Sequence, residues 1–198
     1  MGKTRAKWDS SDQSSAKVLA FYSDRPGRQW REFSNFYRHA VPFEFRLPAC
    51  VRQVPGMPDS VWCEFSEKAI MACKAALMGD QELLQSICAS QEPKDCKALG
   101  RGVRNFDQEL WDRHLEEIAV EVVFQKFSSS KELRQVLLST GHKILAEAAP
   151  NDAIWGIGLG SQDVRCQDPT AWLGRNVLGF ALMEARQRLL SPECQRKE

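Results

Sequence analysis

The sequence predicts an α+β fold, a mainly α-helical single domain with a few short β-strands. Three observations lead to it. The chain has 198 residues, 43% of them hydrophobic, enough for one buried core and within the usual size of one domain. From residue 66 onward apolar residues recur at the spacing of amphipathic helices. Only short stretches near the N-terminus and in the middle read as strand, and there is no internal repeat.

Residues 1–17 (MGKTRAKWDSSDQSSAK) are polar and serine-rich and read as a disordered lead-in. The domain is expected over 18–191, with a flexible tail over 192–198. VLAFYS, from Val18, reads as a strand running into the turn Asp24-Arg25-Pro26-Gly27. Next comes Phe33-Ser34-Asn35-Phe36-Tyr37, an aromatic cluster around two small polar residues. Pro42, Pro48, Pro55, Pro58 and Gly56 deny a long helix over 42–60, which reads as an irregular or hairpin insertion.

Ser66 suits the N-cap of a helix that ends at Gly79-Asp80. A second helix is expected over 81–88, and a third over 93–99 with Pro93 in its favourable first turn. The longest, over 108–127, gathers Trp111, Leu115, Ile118, Val122 and Phe124 near one face. Serines at 128–130 break it before another helix at 131–138. KILAEA over 143–148 reads as a strand, followed by Pro150-Asn151-Asp152 and the glycine series from Trp155 to Gly160. Leu178, Leu182, Ala185 and Leu189 mark a closing amphipathic helix.

Composition excludes several classes. Lys+Arg at 27 against Asp+Glu at 26 leaves a net charge of +1, without the basic excess that drives tight binding to a nucleic-acid backbone, so any nucleic-acid substrate is held locally. The seven cysteines form no CxxC pair and suit reduced thiols in a cytoplasmic or nuclear protein. Three histidines without HExxH spacing give no reason to expect a metal. No apolar run reaches the roughly 20 residues a membrane span needs.

Glu67 and Lys74 lie two helical turns apart, so both project from one face, either a solvated charged face or a shared pocket. In the first turn the helix dipole favours the ionised form of Glu67, an anchor for hydroxyls or developing positive charge more than a general acid. Asp152 stands in a loop, as a turn residue or a catalytic group. The glycine series is neither GxGxxG nor a P-loop; it lets the backbone approach a ligand closely at Gly156 and Gly158. Trp111 reads as core, and Trp155 as core or ligand contact. Asn35 and Asn176 are polar residues in apolar surroundings, whose amides need partners in the backbone or a ligand.

Read in order, these residues resemble the NADAR family. The matching pieces are Phe21-Tyr22, Ser34-Asn35-Phe36, Glu67 and Lys74 in EKAIMACKA, Gly100-Arg101 with Trp111, and Lys126-Phe127. Farther on come LAEA at 145–148, Asn151-Asp152, Trp155-Gly156-Ile157-Gly158, Gly174-Arg175-Asn176 and Arg186. Lys68 and Met71 stand where the family often has His and Gln, and 44–60 is longer than in compact members, differences expected at the pocket rim. The resemblance implies hydrolysis of a ribose C1–nitrogen bond without a cofactor, with Glu67, Lys74 and Asp152 catalytic. It places Tyr22, Ser34, Asn35, Phe36, Arg101, Trp111, Trp155, Gly156, Gly158 and Asn176 at the substrate. The implied substrate is ADP-ribosylated guanine in DNA, RNA or a nucleotide, acted on by a monomer. The alternatives are phosphorylated ribosylaminopyrimidine intermediates of riboflavin synthesis and a non-catalytic ADP-ribose binding module. Lys74 suggests a second chemical route, in which its amine exchanges with an exocyclic amine of an opened ribose to form a Schiff base.

Overall fold

The helical periodicity after residue 66 becomes a run of helices around one apolar core in the computed structural model, which describes residues 17–191. The expected lead-in, apart from Lys17, and the expected tail lie outside the described residues. In chain order, β1 (Val18–Phe21) is followed by β2 (Phe43–Arg46), α1 (Ala49–Arg52) and β3 (Ser60–Cys63). Then come α2 (Ser66–Leu77), α3 (Gln81–Ala89), α4 (Pro93–Arg101), α5 (Gln108–Ser128) and α6 (Lys131–Leu138). Strand β4 (Ile144–Glu147) and helix α7 (Val177–Leu189) complete the fold, with short 3-10 turns at Arg31–Phe33, Val164–Gln167 and Pro169–Ala171. The mainly helical α+β architecture expected from the sequence is the one observed.

The strands form two separate pairs. β1 and β4 run parallel, Val18 opposite Ile144 and Phe21 opposite Glu147. β2 and β3 run antiparallel, Phe43 opposite Cys63, so the proline-rich stretch is a hairpin carrying α1 between its strands.

Helix α2 lies at the centre. All its residues except Lys74 are buried, as expected of a helix apolar on nearly every side. That position takes Glu67 and Lys68 out of water with it. Its start differs from expectation: Phe65, extended at φ −155°, is the N-cap, and Ser66 is already helical with a buried hydroxyl that lacks a partner. On α5, Phe124 is only half-buried, with the Arg188 guanidinium 4.0 Å from its ring, while Ala119, Val123 and Phe127 complete the core face.

Asp80, Asp107 and Ser130 cap α3, α5 and α6 by accepting from Leu83, Leu110 and Leu133 N–H groups. Asp80 also accepts from the Arg104 backbone N–H at 2.9 Å and its guanidinium at 2.6 Å. Those guanidinium bonds hold the Asp80 carboxyl down at about 2 against the effect of burial. Asp80→Ala loses cap and ion pair together, and urea denaturation should read a loss of about 1–3 kcal/mol at unchanged m-value. Among the described residues no helix is long and apolar enough to cross a membrane.

Candidate active site

Both parallel strands end at the same place. The chain leaving β1 (Tyr22 to Arg25) and the chain leaving β4 (Ala149 to Asp152) wall an open cavity of about 640 Å³. Carboxyl ends of parallel strands commonly hold ligands, and the volume suits a small-molecule site. Ser34 and Phe36 form another wall, and the first turns of α4 supply Pro93, Lys94 and Lys97. A helix N-terminus there favours negative charge. Ser23, on the wall, holds φ +72°, the left-handed region that few non-glycine residues adopt.

Three carboxyl groups interact at this cavity. Glu67 lies beside the cavity and outside its lining, buried in the first turn of α2, where its N–H donates to the Asn35 carbonyl at 2.9 Å, and its carboxyl interacts with Asp152 and Lys97. Glu147 comes from the last position of β4, its N–H donating to Asn176 Oδ1 at 3.0 Å and its carbonyl accepting from Ile157 N–H at 2.9 Å. Its carboxyl Oε2 is buried with no hydrogen-bond partner. Asp152 Oδ1 accepts from Ile154 and Trp155 N–H at 3.0 and 2.8 Å, which fixes the loop.

Burial pushes Glu67 up to about 7; Asp152 adds to this, while Lys97 and Arg101 pull the other way. Burial pushes Glu147 to about 8, with Asp152 and Glu67 raising it and Lys97 lowering it. The helix dipole, expected to keep Glu67 ionised, is outweighed. A first-turn dipole contributes about 0.3–1 kcal/mol, whereas loss of water around a carboxylate can shift its pKa by about 3 units or more.

Of the residues expected at the site, Tyr22, Ser34, Phe36 and Asp152 line the cavity. Asn35 is buried behind it, and Arg101 is exposed but close enough for its charge to act on Glu67. Lys74 is not on the cavity wall: its amine donates to the Gly100 carbonyl at 2.8 Å and lies 4.2 Å from the Phe106 ring centroid. Partial burial there lowers its pKa, in the direction expected from its apolar helix. Trp111 is buried in the core beyond it, and Trp155 is half-buried, its N–H bound to Asp152.

The glycines serve the loop's own packing. A Cβ at Gly156 would stand 2.8 Å from the Glu147 carbonyl, and one at Gly158, where φ is +70°, would stand 3.0 Å from Leu173 Cβ. Both amide atoms of Asn176 are taken by β4, Oδ1 by Glu147 N–H and Nδ2 by the Leu145 carbonyl at 2.8 Å. Asn176 therefore positions Glu147 instead of facing the cavity. Lys68 and Met71, expected at the pocket rim, are buried away from it, Lys68 donating to the Cys88 carbonyl and Met71 against Gly100.

Three groups at or near the cavity were given no role from the sequence, Glu147 and Lys126 standing only inside pieces that match the family and Lys97 in none. Glu147 carried a usable signal, a carboxylate at the end of a strand directly before the Asp152 loop. Lys97 stands one helical turn before Arg101, on the same face of α4, but nothing local distinguishes it from other helix charges. Lys126 sits one turn after Val122 on the core face of α5; its buried amine donates to the Ser34 carbonyl at 2.9 Å, supporting the cavity wall from behind. Burial pushes that amine down to about 7.

Known proteins are similar to this chain in sequence and in fold. The N-glycosidase R617 of Acanthamoeba polyphaga mimivirus is 41% identical over 122 residues, 62% of this chain and 72% of that protein. The N-glycosidase Npun_R5314 of Nostoc punctiforme is 29% identical over 157 residues, 79% of this chain and 84% of that one. The NMR structure of the E. coli protein YbiA superposes with a TM-score of 0.63 at 26% identity, covering 91% of this chain and 88% of that chain. The NADAR domain matches residues 20–190, from the end of β1 past the end of α7, and the chain belongs to the NADAR family.

Proposed function

We propose that the chain is an N-glycosidase that hydrolyses the bond between ribose C1 and a guanine nitrogen, removing ADP-ribose from guanine in nucleic acid or nucleotides. The observation that carries this reading is the meeting of Glu147, Asp152 and Lys97 at one cavity, with Glu67 buried directly behind and interacting with all three. Cleavage of a C1–nitrogen bond passes through an oxocarbenium-like centre, stabilised by a carboxylate, while one group protonates the leaving nitrogen and another activates water. Glu147, titrating near 8, holds the proton for the leaving base. Glu67, titrating near 7, takes the proton from water, and Asp152, fixed by two backbone N–H groups, faces the developing charge at C1. Arg25, Lys94 and Lys97, with the start of α4, complement a diphosphate, and Tyr22 and Phe36 offer rings to a base. The N-glycosidase names of the relatives support the reaction class.

The test incubates purified protein with a guanine-ADP-ribosylated single-stranded oligonucleotide and, separately, with a phosphorylated ribosylaminopyrimidine, following both by mass spectrometry. Release of ADP-ribose supports the reading. Hydrolysis of the pyrimidine alone moves the function to riboflavin intermediates, and turnover of neither, with ADP-ribose bound in calorimetry, leaves a binding module. The route through Lys74 requires its amine to leave the Gly100 carbonyl; a borohydride-trapped adduct on Lys74 would establish it, and Lys74→Ala with full turnover would remove it. Lys97→Gln removes the cation that lowers both glutamates, so both limbs of the pH–rate profile should move to higher pH, by up to about one unit.

A further inference from the structure

We propose that Cys50, His114 and Glu117 bind one zinc ion that fastens the β2–β3 hairpin to α5. The three come from two elements far apart in sequence, Cys50 from α1 within the hairpin and His114 and Glu117 from α5. Their sulfur, nitrogen and oxygen ligand atoms all lie within 4.8 Å of one another. His114 Nδ1 stands 3.5 Å from Glu117 Oε2. Two ligands about 2.1 Å from a tetrahedral ion sit roughly 3.4 Å apart, so this pair already has the needed spacing and the thiol needs only a small movement.

The donor set selects the ion. A thiolate and an imidazole suit zinc and not magnesium or calcium, which take oxygen ligands. His114 and Glu117 are partly exposed, which leaves an entry path and room for water as the fourth ligand. None of the three lines the carboxylate cavity, so the ion sits apart from it, where it joins α1 to α5. Farther along α5, Gln125 already ties β2 in place, accepting from Arg46 N–H at 2.8 Å and donating to the Arg46 carbonyl at 2.9 Å. The ion would hold the hairpin's other end, at α1. No sequence motif announces such a site, because its ligands meet only in the folded chain.

The experiment uses the reduced full-length protein, stripped with chelator and titrated with Co²⁺ and then Zn²⁺. One equivalent of Co²⁺ should give a thiolate-to-cobalt band that Zn²⁺ abolishes. Zinc at about a hundredfold excess over its Kd should raise Tm by roughly 5–10 °C. Cys50→Ser and His114→Ala should keep the metal-free Tm while losing both the band and the rise, and Cys166→Ser should keep them. His114→Ala reports on the site even where Cys50→Ser fails to fold. Absence of the band, its survival in both variants, or a band without a rise in Tm would overturn the proposal.

Discussion

Glu147→Gln is expected to lower kcat/KM by about 10²–10⁴-fold, the usual contribution of a positioned general acid, and to raise the stability of the fold. In the proposed reaction Glu67 acts ionised and Glu147 protonated, so kcat/KM should trace a narrow bell, rising near pH 7 and falling near pH 8. The amide removes the falling limb; Glu67→Gln removes the rising one. The stability effect follows from the same proton. Folded Glu147 titrates near 8 against an ordinary 4.5, so between those pH values the folded chain keeps a proton that the unfolded chain has released. Stability from this group is complete below about pH 4.5 and is lost as pH rises toward 8. The shift bounds the effect near 5 kcal/mol, and structural relaxation should reduce it to about 1–3 kcal/mol. Thermal unfolding should therefore show a higher Tm for Glu147→Gln at pH 8.5 and no difference at pH 4. A variant with wild-type turnover would exclude Glu147 from the chemistry.

Asn176→Ala should have the largest effect on stability, about 3–5 kcal/mol, and should reduce activity through Glu147 without touching substrate. Its buried amide satisfies the Glu147 N–H and the Leu145 carbonyl, and an alanine satisfies neither. Asn176 also holds φ +54°, where alanine is strained by about 1–2 kcal/mol. The surroundings cannot close over the gap, because α7 starts hard against β4: a Cβ at Gly179 would stand 2.2 Å from the Leu145 carbonyl. Asn176→Gly separates the two effects. It restores the backbone freedom but not the hydrogen bonds, and should recover about 1 kcal/mol of the loss in denaturant titrations. Equal stability of the glycine and alanine variants would mean that the left-handed turn stores no strain. Wild-type Tm in both would mean that the amide does not hold β4.

Most of the helices are legible in the sequence because their signals are local. Apolar residues spaced for one face, Pro93 in a first turn, and caps such as Asp107 and Ser130 need only a few neighbouring residues to act. That Tyr22, Ser34, Phe36 and Asp152, which line the cavity, belong together was suggested too, through the order of motifs that resembles the family. The pairing of β1 with β4 was not, since two four-residue strands separated by six helices carry no local sign of which partner they take. The state of the carboxyl groups was equally hidden. The first-turn position of Glu67 suggested an ionised anchor, but exclusion of water by α2's surroundings raises its pKa, and that exclusion is a property of the packed chain. In the same way the folded structure turns Lys74 toward the Gly100 carbonyl, brings Lys97 to the carboxylates and binds Asn176 to β4. Residue type and periodicity determined what chemistry the chain could carry; which groups share a cavity, and with which protons, was decided where distant segments meet and shut out water.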